Sequence, residues 1–321
     1  MRKVGIFWLL FLLLTSGISR AQEKPSPRST PLEETLLQEK GGVLVPRGVL
    51  VVEPSIQYSH TSRAFIAISG FTILQAIVLG EIKTEDVKKD VFTASLNFRY
   101  GLSQGLQVDL SVPYLYRHDR YAFKEDSTTQ EKRVDDSAFG DITFGASYQI
   151  LYEKGSRPDL VLNFKVKSRT GKDPYGLKYD AQGRPKELPT GNGHWGVSLG
   201  LSWVKRSDPG VLFGSVAYFY NFKRTIGGRD YKPGDSVEFT LGVAYALNEK
   251  LSLNTYLTER VYSRTEVDGE KQPDTDYNVG ILYFGSSYVL SSRTSLNFSV
   301  GVGLTDDAPD FSIEIRLPFK F

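Results

Sequence analysis

The stretch that most constrains this chain is its last eleven residues, Phe311-Ser-Ile-Glu-Ile-Arg-Leu-Pro-Phe-Lys-Phe321. Phe311, Ile313, Ile315, Leu317, Phe319 and Phe321 take every odd position, while Ser312, Glu314, Arg316, Pro318 and Lys320 take every even one. A period of two belongs to a β-strand, whose side chains alternate between faces. The apolar face finishes on aromatics rather than branched aliphatics, as expected of a strand that meets lipid with rings at the interface. The stretch reads as the closing strand of an outer-membrane barrel. Its six odd-numbered residues then form the assembly signal, the end offered to the barrel-assembly machinery.

The amino terminus points to the same compartment. Arg2 and Lys3 precede the apolar run Val4 to Leu14, and Ser19-Arg20-Ala21 places small residues ahead of a cut before Gln22. That is the form of a secretory signal peptide over 1-21. The run is shorter than the roughly 20 apolar residues of a spanning helix, which weighs against the alternative, a retained anchor. Residues 22-47, with Pro25, Pro27 and Pro31, read as a periplasmic segment carrying a short helix that starts at Thr30-Pro31-Leu32-Glu33 and stops at Gly41-Gly42. It either tucks into the barrel mouth or is a plain leader.

Past Ala21 no stretch reaches helical spanning length, and mean hydropathy is -0.26. A membrane protein of this composition must be a closed barrel, because only helices and barrels satisfy every backbone group in lipid. The chain has no Cys, which removes thiol chemistry and Cys-ligated metal sites. With 39 basic and 37 acidic residues, charge gives no reason to propose nucleic acid as a partner. The 18 Tyr and 19 Phe could furnish interfacial girdles.

The expected fold is therefore all-β, an antiparallel transmembrane barrel over 48-321. Val49 to Ser59 opens the strand pattern. From Val91 the alternation is regular: Phe92, Ala94, Leu96, Phe98 and Tyr100 share one face, and after Ser103-Gln104-Gly105 so do Leu106, Val108, Leu110, Val112 and Tyr114. Tyr277 to Leu290 has an ambiguous register, which a bulge near Gly285 that switches faces would explain. Short turns at Gln104, Gly155, Pro209, Glu249 and Ser292 alternate with longer polar connectors around Asp126, Ala181, Gly228 and Gln272, the barrel arrangement of short periplasmic turns and long outer loops. An even strand count gives twelve; a further hairpin within Phe65 to Ile82 would make it fourteen.

With the strands placed, several stretches resemble the outer-membrane family associated with the meta-pathway of phenol degradation, whose members are described as transporters. They are Tyr100-Gly101-Leu102-Ser103-Gln104-Gly105-Leu106 running to Val112-Pro113-Tyr114, then Phe139-Gly140-Asp141-Ile142-Thr143-Phe144-Gly145-Ala146-Ser147-Tyr148, and Leu188-Pro189-Thr190-Gly191-Asn192 after the polar insertion 172-187. The resemblance implies passage of small solutes, aromatic ones among them. No cofactor is expected.

The candidate functional set is the inward face: Arg99, Asp109, Arg117, Asp141, Lys165, Lys167, Arg169, Glu238, Arg260, Glu314 and Arg316 as pore-lining residues. A Lys or Arg facing mid-depth lipid costs about 2 to 4 kcal/mol, which drives these positions inward. Two readings stand: a pore whose mixed charge sets solute preference, or a lumen filled by ion pairs that hold a narrow barrel rigid. A third class is a lipid-modifying barrel enzyme with a Ser–His pair drawn from His60, His118 or His194, for which loop or girdle histidines are the ordinary reading. Asp306, Asp307 and Asp310 are either a Ca²⁺ loop or a solvated turn. Leu188 to Gly191 is either an external turn or a fold-back that constricts the mouth.

Overall fold

A computed structural model describes residues 44–62, 67–68, 71–72, 84–125, 128–178, 186–207 and 210–321. The expected signal peptide and the helix of the leader lie outside the described residues, as does most of Phe65 to Ile82.

Fourteen strand segments form one antiparallel sheet that closes on itself. Two pairs of segments are single strands in two pieces, so the described residues make twelve spanning strands. They are β1 (Leu50–Thr61), β2 (Thr84–Ser103), β3 (Leu106–Glu125), β4 (Thr128–Phe139 with Thr143–Leu151), β5 (Asp159–Lys167) and β6 (Gly196–Ser207). There follow β7 (Gly210–Asn221), β8 (Ser236–Ala246), β9 (Leu251–Tyr262), β10 (Tyr277–Ser291), β11 (Thr294–Gly303) and β12 (Phe311–Arg316 with Phe319–Lys320). The barrel closes where β12 pairs with both β11 and β1. Leu50 and Phe321 exchange backbone hydrogen bonds of 3.1 and 2.8 Å at that seam.

The alternation does what the sequence led us to expect. Phe144, Phe239, Leu199, Phe284 and Ile56 point outward and are more than half exposed. So large an apolar exterior is untenable in water but suits lipid. Phe311, Ile313, Ile315, Phe319 and Phe321 belong to that exterior and Leu317 is half-buried. The terminal stretch is nonetheless not one unbroken strand. Pro318 lacks an N–H and interrupts the ladder, which Leu317 N bridges by donating to Pro54 O at 3.0 Å.

The expected count of twelve holds: residues Ala67–Ile68 and Phe71–Thr72 pair only with each other, in a separate sheet. Two expectations are corrected. β10 keeps one register through Gly285, and its irregularity falls between Val289 and Ser291. Its ambiguity has a different cause: Tyr277, Val279, Ile281 and Tyr283 are apolar on the inward face while Leu282, Phe284 and Tyr288 are apolar outside. The residues flanking Asp126 are strand rather than a long polar connector, because β3 and β4 remain paired as far as Glu125 and Thr128. β2 and β3 each run for 20 residues, about 65 Å at ~3.3 Å per residue, against a lipid band of about 25 Å. Beyond the band nothing requires an apolar face, so pairing continues while the hydrophobic period is lost.

Two further outer connectors also carry structure. Arg224–Ile226, Arg229–Lys232, Glu266–Val267 and Glu270–Lys271 form a four-stranded sheet of their own. At the short-turn end of the barrel the turn after β2 depends on Gly105, at φ +80°, a conformation that side chains with a Cβ rarely adopt.

Candidate functional site

The inward face encloses a cavity of about 640 Å³, with Lys165, Lys167, Asp141, Glu238 and Arg260 among its lining residues. Thr93, Thr143, Ser198, Ser202 and Ser215 add hydroxyls, and Leu115 and Phe219 add apolar surface. A second cavity of about 210 Å³ lies against Glu314, Arg316, Tyr256 and Thr258.

Most of the charged side chains here are paired. Arg260 bonds to Glu238 from the neighbouring strand. Arg99 donates to Glu53 at 3.0 Å, and Arg316 lies 3.5 Å from Glu314 and 4.0 Å from the same Glu53. Asp109 sits over Gly145, where an added Cβ would come 2.3 Å from its carboxylate. Gly145 pairs in turn with Lys165 on β5, so the small residue lets an acid and a base approach across the strand between them.

The roof of the larger cavity is a strap, described over residues 168–178 and 186–195, which brings Thr190 and Gly191 to its lining. β4 breaks at Gly140-Asp141-Ile142 and β5 stops at Lys167, so the ladder between them ends and the chain turns inward. Asp141 then collects the strap: it takes Lys167 Nζ at 2.9 Å, Gly171 N at 3.0 Å and Asn192 N at 3.2 Å. Gly191 is required there, since a Cβ on it would lie 2.3 Å from Asp141 Oδ1. Lys167 also donates to Asn192 Oδ1 and to His194 O at 2.6 Å.

On one side the strap leans on the extended sheet. Arg117, buried with Asp119 at 2.6 Å, donates to Pro189 O at 2.7 Å. Asp136 takes Lys172 Nζ at 2.6 Å and Leu188 N at 2.8 Å, and Leu188 packs with Val87, Tyr121 and Val134. On the other side, His194 Nδ1 donates to Phe222 O at 2.9 Å, which leaves Nε2 to accept from Tyr175 OH at 2.7 Å. Arg224 bonds to Asp173 at 2.8 Å and to Gly193 O at 2.9 Å. Burial, joined by the nearby Lys167 and Arg224 cations, holds the His194 imidazole down at about 4, so it is neutral at pH 7. Burial and the Asp173 charge push the Tyr175 phenol above its ordinary range.

Of the eleven inward candidates, Asp141, Lys165, Lys167, Glu238 and Arg260 meet at the larger cavity and Glu314 and Arg316 at the smaller. Arg117 holds the strap instead, and Arg99 joins Arg316 through Glu53. Arg169 stands apart, exposed, because the strand whose alternation placed it inward ends two residues earlier. Leu188 to Gly191 is a fold-back, not an external turn. Sequence reasoning missed Glu53, Asp119, Asp136 and Tyr175. Glu53 could have been found from the inward series Val51, Glu53, Ser55, Gln57; the others sit on stretches without membrane periodicity. His60 bonds to Asp90 at 2.7 Å and His118 to Asp135 at 2.5 Å. Among the described residues, none of the three histidines pairs with a serine hydroxyl.

A closed antiparallel barrel of twelve strands, apolar outside and charged within, is an outer-membrane β-barrel. Residues 114–321 match the family described as "Putative MetA-pathway of phenol degradation", and the chain belongs to it. Among solved structures it is similar to the COG4313 outer membrane channel from Pseudomonas putida F1, at 16% identity over 93% of this chain and 100% of that one, with a TM-score of 0.62. That likeness shows the shared fold. The P. putida toluene transporter TodX (11% identity, 86% and 90% covered, TM-score 0.44) and the CymD monoaromatic hydrocarbon channel (10%, 86% and 88%, 0.45) superpose too loosely to add to it.

Proposed function

We propose that this protein is a passive channel of the outer membrane that conducts small solutes through a mixed-charge lumen. The observation that carries this reading is the 640 Å³ cavity inside the barrel, lined by charged, hydroxyl and apolar side chains and roofed by a strap held through polar contacts rather than by a strand ladder. A lumen meant only as a rigid strut would be filled by side chains. The inward residues Arg99, Asp109, Lys165, Glu238, Arg260, Glu314 and Arg316 would then set the preference of the passage, with Asp141, Lys167 and Arg117 holding its roof. The family's association with phenol degradation makes small aromatic compounds the first solutes to try. Planar-bilayer recordings and liposome uptake with purified protein test this; a barrel that neither conducts ions nor admits any small solute overturns it.

The same reading includes export under a cleaved 1-21 segment and insertion by the assembly machinery through the strand ending at Phe321. Deleting Phe321 should reduce the heat-modifiable barrel in the outer membrane severalfold while leaving secretion intact; undiminished insertion would make that ring ordinary interfacial packing.

A second reading, surface recognition, is favoured by the height to which β2, β3 and β4 rise beyond the lipid band and by the four-stranded outer sheet. Deleting residues 176–186 separates the two, since recognition predicts lost binding at unchanged permeability. A lipid-modifying activity finds no geometric support in the histidine contacts, and replacing His118 and His194 with Ala should abolish no hydrolysis.

A further inference from the structure

The outward face of the extended β2–β3–β4 sheet carries an arrangement that conduction does not use. Register sets Lys88 opposite Arg120 and Arg120 opposite Arg133, so three adjacent strands present three cations in one row. Their chain neighbours Val87, Lys89, Asp119, Tyr121 and Val134 are buried on the inner face, which leaves the row itself on the outer one. Like charges directly opposite on a sheet are destabilising. The row therefore needs a counter-charge from outside the sheet or from a nearby acid.

Among the described residues, the acids on the membrane side of the row are committed elsewhere. One same-face position closer to the membrane, Asp90 accepts from Tyr58 OH at 2.6 Å and pairs with His60 at 2.7 Å, leaving Arg120 at 4.0 Å. Asp135 is held by His118 at 2.5 Å and Tyr116 OH at 3.0 Å, and Arg133 bears on it only through space. Among the described residues no carboxylate comes within ion-pair distance of Lys88 or Arg133, which are both exposed, and Glu131 stands exposed beyond the row. Arg120 Nε is buried without a partner.

Height identifies the occupant. Phe92 and Tyr116, rings 6.3 Å apart and both exposed, mark the outer edge of the apolar band, which descends β2 through Leu96 to Tyr100. Lys88 lies four residues above Phe92, about 13 Å along the strand at ~3.3 Å per residue and roughly 10 Å of height at a barrel tilt of about 40°. That is the level of lipid headgroups. We propose that Lys88, Arg120 and Arg133 bind the phosphate groups of the phosphorylated glycolipid of the outer leaflet, whose acyl chains lie against the aromatics below. Arginine offers phosphate a bidentate fork and lysine a point charge, and the phosphates remove the repulsion within the row.

The test uses full-length barrel in detergent with bisphosphorylated lipid A, its dephosphorylated counterpart, or inorganic phosphate as probe, comparing wild type with the triple variant Lys88→Gln, Arg120→Gln, Arg133→Gln. Bisphosphorylated lipid should bind wild type at least tenfold more tightly than it binds the triple variant, and should raise the wild-type melting temperature alone. Without lipid the variant should melt no lower than wild type, because the repulsion it loses outweighs its one marginal pair, Arg120 with Asp90 at 4.0 Å; this outcome also shows that it folds. Dephosphorylated lipid and inorganic phosphate should each discriminate between the proteins less than twofold. Equal binding of bisphosphorylated lipid to both proteins overturns the proposal, and so does a variant whose melting temperature falls without lipid. The single variant Arg120→Gln, expected to lose an intermediate share of affinity, provides the reading should the triple variant not fold. Unchanged affinity there is equally fatal.

Discussion

The wall made by β8, β9 and β10 and the wall made by β4, β5 and β6 solve the same problem differently. From Ser236 opposite Tyr262 to Ala246 opposite Ser252, and on into β10, the first wall is an unbroken ladder. Its backbone holds itself, so its inward side chains, such as Glu238 and Arg260, are available to the lumen. The second wall loses its ladder at Gly140 and at Lys167, and side chains take over the orphaned backbone groups. Thr170 Oγ1 donates to Gly140 O at 2.9 Å and accepts from Ile142 N, and Thr190 Oγ1 donates to Phe139 O at 2.7 Å. Buried backbone polar groups must find partners, and this need is what draws the strap inward to roof the cavity. The polar network of the site exists because the sheet stops there.

This contrast can be broken most sharply at Asp141. Asp141→Ala strands the buried Lys167 ammonium and frees Gly171 and Asn192; breaking a buried ion pair from one side costs about 3–5 kcal/mol. Thermal unfolding should show that loss together with protease cleavage in 168–195, and a variant with an uncleaved strap would deny Asp141 its central place. Gly191→Ala comes next, at about 1–3 kcal/mol for forced overpacking, because its Cβ meets Asp141. The matched change in the ladder region, Gly145→Ala, meets only the movable Asp109 carboxylate and should cost less; equal losses would erase the distinction between strap and ladder.

A pH series sharpens the comparison further. The folded-state pKa of His194 lies below its unfolded value near 6.5, so its contribution to the strap is present above that pH and is lost as pH falls towards about 4. Hydrogen exchange should speed up in 168–195 between pH 6.5 and 4.5 while β8 and β9 stay protected. His194→Gln should flatten that dependence. The smallest structural effect belongs to Glu238→Gln, whose pair with Arg260 faces the lumen and contributes at most about 1 kcal/mol. Its readout is ion selectivity, which should move toward anions in reversal-potential measurements with the melting temperature nearly unchanged.

The barrel was legible because lipid imposes its own pattern. Phe92 to Tyr100 and Phe311 to Phe321 each had to expose one apolar face, and a period of two follows without any knowledge of the partner strands. Where lipid ends, the pattern fails: the upper end of β3 read as part of the polar connector around Asp126, and Arg169 was placed by an alternation that had already stopped. The strap was half visible. Its Leu188-Pro189-Thr190-Gly191-Asn192 and the Phe139-Gly140-Asp141 of β4 stood out as motifs, but nothing in their spacing said that Gly191 rests on Asp141, about fifty residues earlier.

What the sequence determined alone is the face presented by each residue of the regularly alternating strands, since burying charge in lipid is too costly for any other arrangement. Tertiary structure decided what the inward charges do. Asp141, Lys167 and Arg117 became roof supports while Lys165, Glu238 and Arg260 remained on the cavity, because ion pairing and backbone satisfaction depend on distances that only the closed barrel and its inward strap create. The Phe311 to Phe321 strand shows both halves: its alternation fixed its outward face, and its pairing with β1 at the seam came only with closure.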